Sequence, residues 1–235
     1  MNFEKGRFIM AKINGVYSKI PANIKLTNGY DLYGWVMRMN GFPSFWGRSI
    51  SGENRLAKEE IDFLHDKKCR IIPIFDDVTE TDVSATNGSG DAARAIEAAI
   101  TLGVPKNEGI ALYAEIRDDW SVNHNWMISF TYTLFENGFN AGFIGNTDSS
   151  QNFNFGRQCS HYYYFMNDAI SEKVFYWATH PKIIGEPEIW SPYCPSALLP
   201  ENICLWSCHE EKIIYRDKTV DKVYGRDEMI LNHMW

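Results

Sequence analysis

An α/β fold, a single closed (β/α)8 barrel of the TIM type, is predicted on three observations. Short apolar stretches alternate with helical ones, as parallel βα units require. Eight such stretches can be counted, the number that closes a barrel. The 235 residues suit one barrel domain of this kind.

The expected strands are Gly29–Trp35, Phe42–Arg48, Arg70–Phe75, Ile110–Glu115, Ala141–Gly145, Val174–Ala178, Ile189–Tyr193 and Ile203–Trp206. Each is rich in β-branched or aromatic residues and bounded by turn formers. Between them, Leu56 to Lys67 sets Leu56, Ile61 and Leu64 on one face of a helix. Asp91 to Leu102 repeats Ala92, Ile96, Ala99 and Ile100 at helical spacing and stops at Gly103, with Pro105 following. Asn125 to Asn137 places Trp126, Phe130 and Leu134 at i, i+4 and i+8 before Gly138. The late connections around Pro192, Pro195 and Pro200 are too short for full helices, so the last βα units are expected to be irregular. Residues 1–27 are expected to form an N-terminal extension packed on the barrel, which would span residues 28–235.

Composition narrows the function. A formal net charge of −7, with 23 basic residues scattered and never clustered, argues against nucleic acid as a partner. No run of about 18 apolar residues is present, so no membrane span is expected. The first residues lack the apolar core of a signal peptide, from which a cytoplasmic location is expected, or export by a signal-independent route. Five cysteines, with no Cys-x-x-Cys pair, read as reduced and mostly buried thiols. Neither a metal set nor a cofactor fingerprint is found, so no metal or cofactor is expected.

In a parallel barrel the carboxyl ends of the strands build the site. Glu115 carries the sharpest signal, an acid closing the apolar run IALYA. Beside an apolar wall its pKa would be raised, as suits a general acid. Asp31, with Tyr33 and Trp35 on the same side of the first expected strand, is the second candidate. Asp76, first of the pair Asp76–Asp77 after the third strand, is the next. Arg48, Tyr113, Trp177, His180, Trp190 and Trp206 lie at or near other strand ends, and with Tyr33 and Trp35 they form the expected substrate-binding ring. Aromatic rings around carboxylates suggest a sugar groove, because pyranose rings carry apolar faces.

The segments GYDLYGW, IIPIFDD and GSGDAARAIEAAITLGVP, followed by IALYAEI, resemble a bacterial glycoside-hydrolase-like barrel family. That family is itself distantly similar to family-25 lysozymes. AGFIGNT, VFYWATHP and ICLWSC resemble its fifth, sixth and eighth strands. The resemblance implies carboxylates at strand ends, with Asp31 on the first and Glu115 on the fourth. Family-25 lysozymes carry Asp-x-Glu on the fourth strand, whereas this chain has Tyr113 in place of that Asp. The resulting expectation is hydrolysis of an amino-sugar polymer, peptidoglycan first, in the manner of a muramidase. Glu115 would be the acid, with Asp31 as base, nucleophile or charge stabiliser. If instead the substrate's N-acetyl group attacks, Asp31 or Asp76 would orient it. Two alternatives stand beside it: a catalytically inactive glycan-binding barrel, and an exported effector or assembly module that uses the barrel for docking.

Overall fold

The computed structural model describes residues 13–150, 154–166, 168–182, 187 and 189–235. Eight strands close into a barrel in sequence order. They are β1 (Ile13–Tyr17), β2 (Phe45–Ser49), β3 (Arg70–Phe75), β4 (Ala111–Glu115), β5 (Asn140–Gly145), β6 (Val174–Ala178), β7 (Ile203–Tyr215) and β8 (Lys218–Gly225). β1 to β7 run parallel. β8 returns antiparallel between β7 and β1 and completes the closure. The helices are α1 (Leu32–Asn40), α2 (Lys58–Asp66), α3 (Glu80–Ser84), α4 (Ser89–Leu102), α5 (His124–Glu136), α6 (Asn154–Phe165) and α7 (Asp168–Ser171). Between β6 and β7 the described residues hold only a 3-10 turn, Pro200–Asn202, so the late units are irregular as expected. No helix among the described residues is long and apolar enough to cross a membrane.

Two expected strands are corrected, and two observed strands were not expected. Gly29–Trp35 is a turn followed by the start of α1. Asp31 accepts a hydrogen bond from the Gly34 amide as its N-cap, and Leu32, Tyr33 and Val36 fall on the buried face. The spacing i, i+1, i+4 is helical, and it prevails over the alternation of Asp31, Tyr33 and Trp35. Ile189–Tyr193 is irregular, and β6 pairs directly with β7 through Trp177 and Leu205. Pro192 offers the sheet no N–H. The true first strand, Ile13–Tyr17, lies within what was expected to be an extension over residues 1–27, so the barrel starts earlier than residue 28. Residues 1–12 of that expected extension lie outside the described residues. The eighth strand, Lys218–Gly225, was not expected either.

Alternation along the strands divides the core in two. Phe45, Ile72, Ile74, Tyr113, Ile144, Trp177 and Leu205 fill the barrel interior. Trp46, Ile71, Phe75, Leu112, Phe143 and Tyr176 face outward onto the helices. Two glycines make room for interior rings. A Cβ on Gly15 would lie 2.1 Å from the Phe45 ring, and one on Gly142 would lie 2.4 Å from Tyr113. At the amino end of the parallel strands, Ile230 and Met234 join the interior cluster, and Trp235 exchanges backbone hydrogen bonds with Ile71. That end is thereby plugged, leaving the carboxyl end as the mouth.

Candidate active site

Parity along the strands selects the residues at the mouth. Phe75 pairs with Ala114, so one further step of the same register brings Asp76 beside Glu115 on the neighbouring strand. Both face inward, because Ile74 and Tyr113, two residues earlier on each strand, belong to the interior cluster. Tyr17 ends β1 with the same parity as Ile13, and its hydroxyl donates to Glu115 Oε2 at 3.2 Å. Lys19, two residues beyond β1, holds its ammonium 3.7 Å from Asp76 Oδ2 and 3.9 Å from Glu115 Oε2. The Lys19 ammonium therefore lies between the two carboxylates.

Asp76 is tethered from the second strand. Its Oδ1 accepts from Ser49 Oγ at 2.5 Å and from Ser51 Oγ at 3.0 Å. Among the described residues Glu115 is held on one side only, since Tyr17 and Lys19 both address Oε2. Its side chain is 29 % exposed and that of Asp76 20 %, so both are open to a ligand at the mouth. Burial pushes the Glu115 carboxyl above its ordinary range, with the Asp76 charge adding to the shift. The Lys19 ammonium, the Tyr17 hydrogen bond and the Arg117 guanidinium oppose it without cancelling it. Tyr17 is itself pushed up, by burial first and then by the charges of Glu115 and Asp76. It therefore stays a neutral donor.

Below this cluster Trp177 forms a floor. Its ring meets Tyr17 edge-on at 5.8 Å and Tyr113 at 6.1 Å, and its Nε1 donates to Ser207 Oγ at 2.6 Å. Gly47 lies beneath the same ring, 3.3 Å separating Trp177 from where a Cβ would stand.

Several expected site residues lie elsewhere. Asp31 caps α1 and pairs with Lys25 at 3.6 Å, so its carboxylate serves the helix end. Tyr33 is buried and stacks on Trp46 at 5.8 Å. Trp35 packs on Tyr215 and donates to the Ile214 carbonyl, bracing α1 against the β7–β8 hairpin. Arg48 has the opposite parity from Ser49 and points out of the barrel, where it is wholly buried against Glu60 at 2.8 Å. Tyr113 and Trp177 are buried in the interior, each 1 % exposed, and offer no face to a sugar. Trp206 is equally buried on the outer side, its Nε1 donating to the Pro181 carbonyl and its ring meeting Trp190 edge-on at 5.7 Å. Both rings therefore help fix the helix-poor β6–β7 connection. His180 sits after β6 with Nε2 3.6 Å from Asp118 Oδ2.

Of the expected residues, then, the structure brings together Glu115 and Asp76. Tyr17, Lys19, Ser49 and Ser51 were missed. Tyr17 ends, and Lys19 follows, a strand whose sequence, INGVY, is short and contains Gly and Asn, which weaken the strand signal. The serines were detectable only through the parity of β2. Half-buried Trp120, under the Arg117 guanidinium at 5.2 Å, supplies an aromatic on the loop after Glu115.

No family model matches the chain, and no curated protein does. Among solved structures it is similar to an uncharacterized B. stearothermophilus protein, at 22 % identity and a TM-score of 0.71, over 95 % of this chain and all of that one. A bacterial lysozyme from Streptomyces coelicolor is similar at 9 % identity and a TM-score of 0.57, over 94 % of this chain and 96 % of that one. The Clostridium perfringens spore cortex lytic enzyme SleM is similar at 13 % identity and 0.51, over 91 % of this chain and 67 % of that one. At these identities the likeness establishes a shared fold.

Proposed function

We propose that this barrel is a glycosidase acting on an amino-sugar polymer of the peptidoglycan type, with Glu115 as the proton donor and Asp76 as its partner carboxylate. The observation that carries the reading is the pair itself: two inward acids on adjacent strands at the open mouth, one of them kept protonated by burial to higher pH than usual. The shared fold with a lysozyme and a spore cortex lytic enzyme supports the substrate class.

In the chemistry this implies, Glu115 passes its proton to the glycosidic oxygen as the bond from that oxygen to the anomeric carbon breaks. Its Oε1 has no hydrogen-bond or ion-pair partner among the described residues and is the oxygen that would face the substrate. Asp76, fixed by two serine hydroxyls, supplies negative charge to the oxocarbenium-like transition state. Water then adds at the anomeric carbon, and its proton returns to Glu115.

Purified peptidoglycan incubated with wild type should release new reducing ends. Glu115→Gln and Asp76→Asn should each lower that rate by about 10²–10⁴-fold. Unchanged digestion by Glu115→Gln would refute the assignment. A catalytically silent glycan-binding barrel is favoured by one feature: position 113, where the resemblance implies an acid, holds a buried phenol. Saturable binding of muropeptides without turnover anywhere from about pH 4 to 8, the titration range of carboxylates and His, would establish that reading instead.

A further inference from the structure

Lys19 stands out as a charged side chain that neither the barrel's packing nor its helix ends require. Its ammonium touches both acids of the mouth and no other described group. The loop that carries it is anchored on both sides by one buried ion pair. Arg48 Nη1 donates to the Ser18 carbonyl at 3.1 Å, and Glu60 Oε1 accepts from the Ala22 amide at 2.8 Å. Residues 18 and 22 bracket Lys19, so its backbone is placed by a wholly buried bidentate contact between β2 and α2. A surface lysine with no task would need no such anchor.

We propose that Lys19 is a positioning residue of this site: its ammonium, shared between Asp76 and Glu115, fixes the carboxylate geometry and governs when Glu115 gives up its proton. This deepens the glycosidase reading and rests on it for its meaning, though not for its test. The charged and titratable neighbours of Glu115 are few. β1 brings Tyr17, the following loop Lys19, β3 Asp76, and the chain beyond β4 Arg117. β8 brings Asp221, which acts through Tyr17. β5 sets Ile144 in register beside Glu115 and adds no charge at that level. Lys19 heads the influences that favour the ionised form of Glu115. Removing it leaves a buried carboxyl next to a second carboxylate.

The test follows the Glu115 carboxyl carbon by NMR across a pH titration, using the full chain labelled at glutamate side chains, with Glu115→Gln identifying the signal. In Lys19→Met the midpoint should rise by about 0.8 pH unit or more, the bulk-water effect of losing a unit charge near 4 Å being the lower bound for a partly hydrated site. Lys19→Arg should return it towards wild type. If peptidoglycan is digested, the alkaline limb of the rate profile should move by the same amount and in the same direction. A midpoint unmoved or lowered in Lys19→Met overturns the proposal, even where digestion is intact. A raised midpoint with no digestion by wild type supports this role for Lys19 and removes the glycosidase reading.

Discussion

Replacing Glu60 tests whether Arg48 is a structural cation and not a ligand contact. The guanidinium is fully buried and spends its donors on Glu60 Oε1 at 2.8 Å, Glu60 Oε2 at 3.0 Å, and the carbonyls of Ser18 and Asn54. Glu60→Gln preserves shape, and its amide oxygen can still accept from the Ala22 amide. What it removes is the negative charge that faces Arg48. Breaking a buried pair from one side costs about 3–5 kcal/mol, because the remaining charge is left uncompensated. For a domain of this size that is a fall in melting temperature of roughly 6–20 °C. Glu60→Ala should cost more than Glu60→Gln, since it also opens a cavity and strands the Ala22 N–H. The double variant Arg48→Met with Glu60→Leu should recover part of the loss, because a buried ion pair exchanged for apolar packing is often neutral. Urea unfolding followed by tryptophan fluorescence, at constant slope, reads all three variants against wild type. A loss below about 1 kcal/mol in Glu60→Gln would refute the reasoning, since that is the range of exposed pairs.

Other expectations follow from the same geometry. Because the Glu115 midpoint is raised in the folded state, the stability it contributes is complete below the ordinary carboxylate range and is lost as pH rises through the raised value. Glu115→Gln should therefore melt higher than wild type near pH 8, and the gap should close towards about pH 4; a gap that widens on acidification contradicts the shift. Gly142→Ala would thrust a Cβ into the Tyr113 ring and should cost about 1–3 kcal/mol in urea unfolding. Tyr113→Leu should relieve part of that loss, and additive effects would show that the two positions do not meet. Met234→Ala should cost about 2–5 kcal/mol by emptying the plug beneath the barrel, and an unchanged denaturation midpoint would mean that end is not sealed by this residue.

The architecture was legible where periodicity and burial agree. β3 and β6 have the expected bounds, because RIIPIF and VFYWA are apolar on both faces, as parallel strands between a barrel core and a helix layer must be. α4 and α5 announced themselves by spacing and by the glycines that follow them. The first and last strands were hidden for opposite reasons. INGVY is too short and too glycine-rich to signal a strand, since its glycine exists to admit the Phe45 ring. KTVDKVYG carries Lys218, Asp221 and Lys222 on both of its faces, with Asp221 in register with Tyr17 at the mouth, so no apolar alternation marks it as a strand and it resembles a surface loop. Asp31 was misplaced because an acid before an apolar run is equally the mark of a strand end and of a helix cap. Only the downstream spacing of Leu32, Tyr33 and Val36 separates the two.

That exchange of Asp31 for Asp76 changes what the mouth can do. A carboxylate capping α1 and paired to Lys25 has its lone pairs committed to a helix terminus. Asp76 is committed only at Oδ1, and its other oxygen shares an ammonium with Glu115. The aromatic ring once expected around the acids is mostly inside the molecule, with Tyr113, Trp177 and Trp206 each about as buried as the core aliphatics. If the mouth binds a glycan as proposed, its selectivity would come from hydrogen bonding and charge, through Tyr17, Lys19, Asp76 and Glu115, more than from stacking. A ligand that competes for those groups has to displace or join Lys19, so affinity for neutral and for anionic glycans should diverge in Lys19→Met. Weaker binding of anionic chains alone, measured by calorimetry, is the expected outcome; equal loss for both would return the weight of recognition to the rings.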